Sequence, residues 1–238
     1  MHWAVVAIRD KPYQHMKILK KNAWNSFTAK ILGIICRNNP YIEGFSEYNF
    51  QINFHTFTVE LFPVKKIVLL SDTHGYIDQK IKDYVAKADE VWHAGDIGKA
   101  SVLDELASVK PLRAVYGNID SHKIRQKAPE VLSFNCEGID VLMTHIAGYP
   151  GRYNARAKDL ITTEKPGLFI CGHSHILKVI RDKKYGHLHM NPGAIGISGF
   201  HKIRTLLRFE IDTGEIKNLE AVELGLRRAL SNAVDGAN

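Results

Sequence analysis

The stretch KKIVLLSDTHG at residues 65–75 decides the fold. It joins an apolar run typical of a buried strand to two metal-capable side chains, Asp72 and His74. Four more clusters follow the same plan: HAGD at 93–96, GNID at 117–120, MTH at 143–145 and GHSH at 172–175. Because open α/β sheets bind their ligands at the carboxyl ends of the strands, we expect these clusters to gather into one site.

Strand-like and helix-like segments alternate from residue 66 onward. The pattern predicts strands at 66–71, 90–93, 112–116, 139–144 and 167–171, and helices near 78–87, 100–109 and 153–163. Beyond Ser174 it changes to antiparallel strands at 176–181, 186–190, 203–211 and 215–220. Parallel units followed by hairpins predict an α/β fold in which two packed sheets are covered by helices.

Residues 1–64 do not continue this order. They contain a predicted amphipathic helix near 15–35 and an alternating, strand-like run at 50–60. We therefore predict two parts, an N-terminal extension at 1–64 and the domain that carries the clusters at 65–238. The extension is either a partner-binding or regulatory segment or not part of the natural fold, since residues 64–72 look like the beginning of a domain.

Composition excludes several classes of protein. The chain has 238 residues, 45% of them hydrophobic, which suits one globular domain with an appendage. No apolar stretch approaches the roughly 18 to 20 residues that span a bilayer, so a cytoplasmic protein without a membrane partner is predicted. Three cysteines without metal-type spacing argue against a disulfide framework.

The net charge of +7 is spread thinly, with +3 in residues 1–64 and +4 in the remainder. The sequence contains no basic run with interleaved aromatic residues. Nucleic acid is therefore not the expected partner. Whether the chain forms a homo-oligomer is left open.

The clusters offer a mixed oxygen and nitrogen donor set of aspartate, histidine and one asparagine. This set suits Mn²⁺, Fe²⁺, Co²⁺, Ni²⁺ or Zn²⁺ better than a closed thiolate zinc site would. Two metal ions about 3.5 to 4 Å apart can generate a nucleophile and neutralise charge on phosphoryl oxygens. Such a pair needs a bridging carboxylate, and Asp96, the only acid of the second cluster, is predicted to bridge.

These residues resemble the motifs of the calcineurin-like metallophosphoesterase superfamily, in particular its small bacterial and archaeal phosphodiesterases. The matching motifs are D-x-H at 72–74, G-D at 95–96, G-N-x-D at 117–120, T-H at 144–145 and G-H-x-H at 172–175, with N-P-G-A at 191–194 similar to N-P-G-S. The resemblance covers about residues 65 to 220. It implies a four-layer α/β/β/α sandwich and a metal-dependent phosphoric ester hydrolase, with a small phosphodiester favoured over a monoester as substrate.

The resemblance also implies roles for individual residues. Asp72, His74, Asp96 and His175 would hold the first metal, and Asp96, Asn118, His145 and His173 the second. Asp96, Asn118 and His145 are the predicted catalytic residues, and Asn118 would also contact the substrate. Manganese is favoured among the five metals. The implied reaction is direct attack on phosphorus by a metal-bridging hydroxide, without a covalent phosphoenzyme.

The sequence departs from the family pattern at two places. Ile119 stands where many members have a histidine that protonates the leaving group, a contribution of about 10² to 10⁴ in rate. Ile146 follows His145 where the branch commonly has glycine. The loop at 149–153 then becomes a candidate substrate loop, in which Arg152 either pairs with phosphate or is only a charge at a helix start.

Two alternatives remain open. A non-catalytic interaction scaffold, similar to the retromer subunit of this fold, would not need all seven metal-capable residues. A nuclease of the same superfamily would want a basic groove and the histidine that Ile119 replaces. His93 is interpreted either as a residue that orients a metal ligand or as an ordinary core histidine. Asp120 either supports its loop or takes part directly in catalysis. His187 and His189 are interpreted as surface residues, and His201 is given no role.

Overall fold

The computed structural model describes residues 3–9, 14–20, 48–53 and 58–227, and the side chains of residues 64–227. The chain divides into two compact units, Met1–Val64 and Lys65–Asn238. In the first unit, strands β1 (Trp3–Arg9) and β2 (Gln14–Lys20) pair antiparallel, and so do β3 (Tyr48–Asn53) and β4 (Thr58–Pro63).

Two sequence predictions for the first unit need correction. The helix predicted near 15–35 is wrong at its start, because Gln14–Lys20 is a strand. The neighbouring strand, WAVVAIR, is rich in residues that favour sheets and supplies its partner. Residues 21–35 lie outside the described part of the chain. The single run at 50–60 belongs to two paired strands, β3 and β4, rather than one.

The second unit contains ten strands and four helices among its described residues. The strands are β5 (Lys65–Leu70), β6 (Glu90–His93), β7 (Leu112–Ala114), β8 (Val131–Cys136), β9 (Ile139–Thr144), β10 (Leu168–Ile170), β11 (Leu177–Arg181), β12 (Leu188–Pro192), β13 (Ile203–Asp212) and β14 (Glu215–Leu226). The helices are α1 (Gln79–Ala86), α2 (Ala100–Val109), α3 (His122–Arg125) and α4 (Ala155–Glu164). None of the described helices is long and apolar enough to span a membrane.

These strands form two mixed sheets of five strands each. The first sheet has the order β14-β13-β5-β6-β7, with β5, β6 and β7 parallel and β13 antiparallel to β5. The second has the order β11-β12-β10-β9-β8, in which β9, β10 and β12 are parallel and the two edge strands are antiparallel. The parallel strands at the centre of each sheet end at the motif clusters.

Side-chain alternation in β5 explains the layering. Ile67 and Leu69 pack in the core between the two sheets, whereas Val68 and Leu70 pack against α1 and α2 on the outer face. Successive strand residues point to opposite faces, so a strand buried on both faces is apolar throughout. Helix α4 covers the other sheet, where Ala157 and Ile161 contact its core. The predicted four-layer α/β/β/α sandwich is therefore confirmed.

The described helix and strand bounds of this unit differ from the predicted ones mainly at their ends. Asp78 caps α1 as expected, since its carboxylate accepts the backbone N–H of Ile81 at 2.9 Å. Strand β8 was not predicted. Only Cys136 of its six residues is buried, so this edge strand lacks the apolar run of the central strands.

Candidate metal centre

The motif clusters meet where the central strands of both sheets end. Asp72 follows β5 and Asp96 follows β6 in the first sheet, while His145 follows β9 and His173 follows β10 in the second. Six of the seven predicted ligands form two groups, Asp72 with His74 and His175, and Asp96 with His145 and His173. Within each group, one ligand atom from every residue lies within 4.8 Å of the others.

The two groups adjoin one another. In the first, Nε2 of His175 lies 3.1 Å from Oδ1 of Asp72 and 3.3 Å from Nε2 of His74. In the second, Nε2 of His145 lies 3.2 Å from Oδ1 of Asp96. The same His145 atom is 4.0 Å from Oδ1 of Asp72, which joins the groups.

Two buried atoms at the centre have no hydrogen-bond partner among the described residues, Oδ1 of Asp72 and Nε2 of His145. The other oxygen of Asp72 accepts the backbone N–H of His173 at 3.2 Å. His145 uses Nδ1 to donate to the carbonyl of Ala94 at 2.7 Å, so the neutral ring has a bare lone pair on Nε2. Unpartnered buried polar atoms are uncommon and costly. A divalent cation would satisfy both, so these residues fit the implied metals.

The charges at the centre also suit a cation. Burial lowers the pKa of His145, but its contact with Asp96 and the charges of Asp72 and Asp96 together outweigh burial and raise it. Burial raises the pKa of Asp96, and the contact with His145 more than reverses this. The lowered pKa keeps Asp96 an anion beside His145, and an anion at this position suits a cation. Histidine binds a metal in its unprotonated form.

The backbone at the centre is strained. Five of the six grouped residues have positive φ, namely Asp72 (55°), His74 (48°), Asp96 (53°), His173 (67°) and His175 (57°). Residues other than glycine rarely adopt this backbone conformation, which costs of order 1 to 3 kcal/mol for each residue. Residues strained in this way cluster at functional sites. Gly117 approaches closely, since a Cβ there would lie 2.1 Å from Oδ1 of Asp96. The surrounding fold therefore holds these five residues in a backbone conformation that they would not adopt on their own.

Asn118, the seventh predicted ligand, lies in the loop that follows Gly117 and has an exposed side chain. The next residue, Ile119, donates its backbone N–H to Oδ1 of Asp96 at 3.2 Å, which sets the loop against the second group. Asp120 accepts the backbone N–H groups of Ile97, Gly98 and Gly117 at 3.1, 2.7 and 2.8 Å. Asp120 therefore supports the loop, which agrees with its interpretation as a supporting residue.

His93 is fully buried below the centre. Its Nδ1 accepts the backbone N–H of Gly95 at 3.1 Å, and its Nε2 lies 2.9 Å from the hydroxyl of Thr73. Burial lowers the pKa of His93 to about 3, so the ring is neutral at neutral pH. Because Thr73 and Gly95 are neighbours of Asp72, His74 and Asp96, His93 ties together the two loops that carry them.

Two histidines predicted at the surface are buried. His187 and His189 are each 1% exposed, and both ring systems contact the hydroxyl of Tyr153, at 2.9 and 3.1 Å. The prediction was wrong because alternation along a strand does not reveal which face another element covers. The core that α4 closes includes Tyr153.

His201, given no role from the sequence, contacts the first group. Its Nδ1 lies 3.3 Å from Nδ1 of His175, and its Nε2 lies 3.0 Å from the carbonyl of Gly196. Burial lowers the pKa of His201. No spacing in the sequence marks this residue, because the contact depends on how residues 196–201 fold back over His175. Arg152, in contrast, is exposed and forms no side-chain hydrogen bond or ion pair with the described residues.

Comparison with known proteins decides the family. Residues 66–214 match the Calcineurin-like phosphoesterase superfamily domain. The chain belongs to the calcineurin-like phosphoesterase superfamily. A relative of this phosphoesterase domain, the probable metallophosphoesterase of Methanothermobacter thermautotrophicus, is 28% identical over 114 residues. The match covers 46% of this chain and 66% of that protein.

Solved structures share the fold of the phosphoesterase domain. A predicted phosphoesterase from Streptococcus pneumoniae has a TM-score of 0.51 at 22% identity, over 68% of this chain and 99% of that one. Vps29 from Entamoeba histolytica, solved in complex with Zn²⁺, has a TM-score of 0.52 at 17% identity, over 66% and 98%. At these identities the likeness concerns the fold alone.

Proposed function

We propose that this protein is a divalent-metal-dependent phosphodiesterase that acts on small phosphodiesters. The observation that carries the proposal is the pair of adjoining ligand groups. In these groups, buried atoms of Asp72 and His145 have no hydrogen-bond partner in the part of the chain that the structure describes. Buried lone pairs of this kind, converging from two sheets, are suited to metal ions. Membership of the family supports phosphoester hydrolysis as the chemistry.

Asp72, His74 and His175 would hold one metal and Asp96, His145, Asn118 and His173 the other, with Asp96 as the bridging carboxylate. When bound, two divalent ions lower the pKa of water and neutralise charge on the phosphoryl oxygens. Manganese is our first choice because oxygen donors accompany the histidines. Zinc is also among the proposed metals, and the zinc complex of Vps29, a protein of the same fold, supports its inclusion.

The protein's own residues orient the reactants. The exposed amide of Asn118 and the exposed guanidinium of Arg152 would bind the phosphate, Arg152 through paired hydrogen bonds. Among the described residues near the centre, no side chain is set up as a nucleophile. Ser71 donates to the carbonyl of Gly95 at 3.4 Å, and burial raises the pKa of the Cys171 thiol to about 12. Water is therefore the proposed nucleophile, and no phosphoenzyme is expected.

Ile119 limits the range of leaving groups. It is 47% exposed in the loop beside Asp96 and has no proton to give. Without a general acid at this position, the reaction should favour esters whose alcohol leaves without protonation. Aryl phosphodiesters are substrates of that kind.

The test is hydrolysis of bis-p-nitrophenyl phosphate beside p-nitrophenyl phosphate by metal-stripped protein, with and without Mn²⁺. The Asp96→Asn variant should lose the activity because the bridging carboxylate is gone. The matched control is Asp104→Asn, which removes the same charge from an exposed position on α2. Manganese-dependent cleavage of the diester in the wild type and the control, but not in Asp96→Asn, is the expected result.

A second candidate function is a protein-interaction scaffold. Four apolar side chains beside the clusters are exposed, Ile119 (47%), Ile146 (44%), Ile176 (61%) and Phe200 (99%). Exposed apolar groups of this kind mark interaction surfaces as well as substrate sites. Folded protein that binds metal yet cleaves neither ester with any divalent ion would favour the scaffold over the phosphodiesterase.

A further inference from the structure

We propose that His201 is a positioning residue that fixes the proton of His175 on Nδ1, which leaves Nε2 of His175 free to bind the first metal. The inference rests on the proposed metal-dependent function. It concerns a residue outside the family motifs and assigns it a part in assembling the centre.

The contacts form a continuous chain. Nε2 of His201 lies 3.0 Å from the carbonyl oxygen of Gly196, and Nδ1 of His201 lies 3.3 Å from Nδ1 of His175. Nε2 of His175 then lies 3.1 Å from Oδ1 of Asp72. The backbone N–H of Gly196 in turn donates to the carbonyl of Asp72 at 3.0 Å. The chain thus begins and ends at Asp72.

The direction of these hydrogen bonds follows from the carbonyl. A carbonyl oxygen only accepts, so Nε2 of His201 must donate to Gly196. In a neutral imidazole the other nitrogen then has a lone pair, which makes Nδ1 of His201 the acceptor. Nδ1 of His175 must supply the proton, and Nε2 of His175 is left unprotonated. An unprotonated nitrogen is the form in which histidine binds metal.

The segment that carries His201 is anchored on both sides. Gly196 lies against β5's end, where a Cβ would be 2.4 Å from the carbonyl of Thr73. Arg227 donates from Nε to the carbonyl of His201 at 3.0 Å and from Nη1 to that of Ile197 at 3.2 Å. These contacts hold the ring of His201 edge-to-face with that of His175, at 5.2 Å between centroids.

In the second group, the proton of His145 is fixed on Nδ1 without an intermediate residue. His145 donates from Nδ1 directly to the carbonyl of Ala94 at 2.7 Å. In the first group, no backbone carbonyl of the described residues is hydrogen-bonded to the ring of His175. His201 connects that ring to the carbonyl of Gly196 instead. Loss of His201 should therefore weaken the first metal and leave the second unaffected. Partners of this kind typically change metal affinity 10- to 100-fold.

Two substitutions separate proton positioning from simple packing. His201→Phe keeps an aromatic ring against His175 but removes the acceptor. His201→Asn removes the ring but places an amide oxygen where Nδ1 stood, so His175 can still donate. If His201 only filled space, the phenylalanine variant would be the better tolerated of the two.

The experiment titrates Zn²⁺ into the metal-stripped full chain in competition with a chromophoric chelator. The wild type should bind two ions, and His201→Phe should weaken one of them about 10- to 100-fold and leave the other unchanged. His201→Asn should stay close to the wild type. Thermal unfolding of the metal-free variants controls for folding.

Two outcomes would overturn the inference while leaving the proposed function intact: wild-type zinc affinity in His201→Phe, or equal losses in both variants. Wild-type protein that binds no zinc at all would overturn the proposed function and this inference with it.

Discussion

Oδ1 of Asp72 lies 3.1 Å from Nε2 of His175, although the two residues follow strands of different sheets. Asp72 comes after β5 in the first sheet and His175 after β10 in the second. The centre therefore exists only when the two sheets are packed together. A ligand that binds this folded state alone must also stabilise it, by about 2.7 kcal/mol at a concentration of 100 Kd.

The first prediction concerns Asp72, whose Oδ1 is buried and has no hydrogen-bond partner within the described ranges. Asp72→Asn removes a buried charge that a bound metal would neutralise. The metal-free variant should have a free energy of unfolding at least as high as that of the metal-free wild type. Its stability should no longer rise on addition of Mn²⁺. Urea unfolding with and without the metal measures both. A variant that is clearly less stable without metal would mean that Asp72 is a structural residue.

The second prediction tests the close approach of Gly117. A Cβ at this position would lie 2.1 Å from Oδ1 of Asp96 and 2.3 Å from its backbone nitrogen. Gly117→Ala should displace Asp96 and weaken metal binding at least about tenfold. Gly167→Ala is the matched control, since its Cβ would come within 3.4 Å only of Cγ2 of Ile139. Zinc affinity of the two variants decides the matter, and equal affinities would contradict the prediction.

The layered fold could be predicted because both sheets keep their central strands buried on two faces. Residues 67–70 are apolar throughout for that reason, and the clusters that carry Asp72, Asp96, His145 and His173 each follow a largely buried strand. The gathering of Asp72, Asp96 and His145 then follows from strand ends alone. Six of the seven predicted ligands do lie together in the two groups.

Other features depend on contacts that no local pattern encodes. His201 meets His175 only through the anchored segment at 196–201. His187 and His189 are buried where Tyr153, which precedes α4, packs against them. The spacing of apolar residues in β2 is typical of a helix, but its pairing with β1 makes this segment a strand.

The third prediction concerns acid stability. Glu90 is 8% exposed, and burial raises its pKa, but hydrogen bonds from Arg113, Trp92 and Lys65 outweigh burial and lower it from 4.5 to about 2. A carboxylate with a lowered pKa stabilises the fold above about pH 4.5, and this contribution disappears as the pH falls towards 2.

Glu90→Gln should therefore reduce the free energy of unfolding at pH 7 by roughly 3 kcal/mol, with a difference that shrinks as the pH is lowered. Urea unfolding of the metal-free proteins at pH 7 and pH 3 provides the comparison. A difference between the variant and the wild type that is the same at both pH values would refute the assignment.

The fourth prediction concerns Arg152, the exposed arginine of the 149–153 loop. If it pairs with the substrate phosphate, Arg152→Ala should raise KM for the diester about tenfold without changing zinc affinity. Arg152→Lys should not restore KM, because an ammonium group cannot form the paired hydrogen bonds. Arg156→Ala serves as the control, because Arg156 is an exposed arginine on α4 that pairs with Glu130. Equal KM values for Arg152→Ala and the control would rule out the contact.

The most direct test of the proposed centre is anomalous diffraction from crystals of the protein grown with Mn²⁺. The proposal predicts two peaks, one beside Asp72, His74 and His175 and the other beside Asp96, Asn118, His145 and His173, with Asp96 contacting both. Peaks elsewhere on the surface, or none in crystals that hold the described fold, would contradict it.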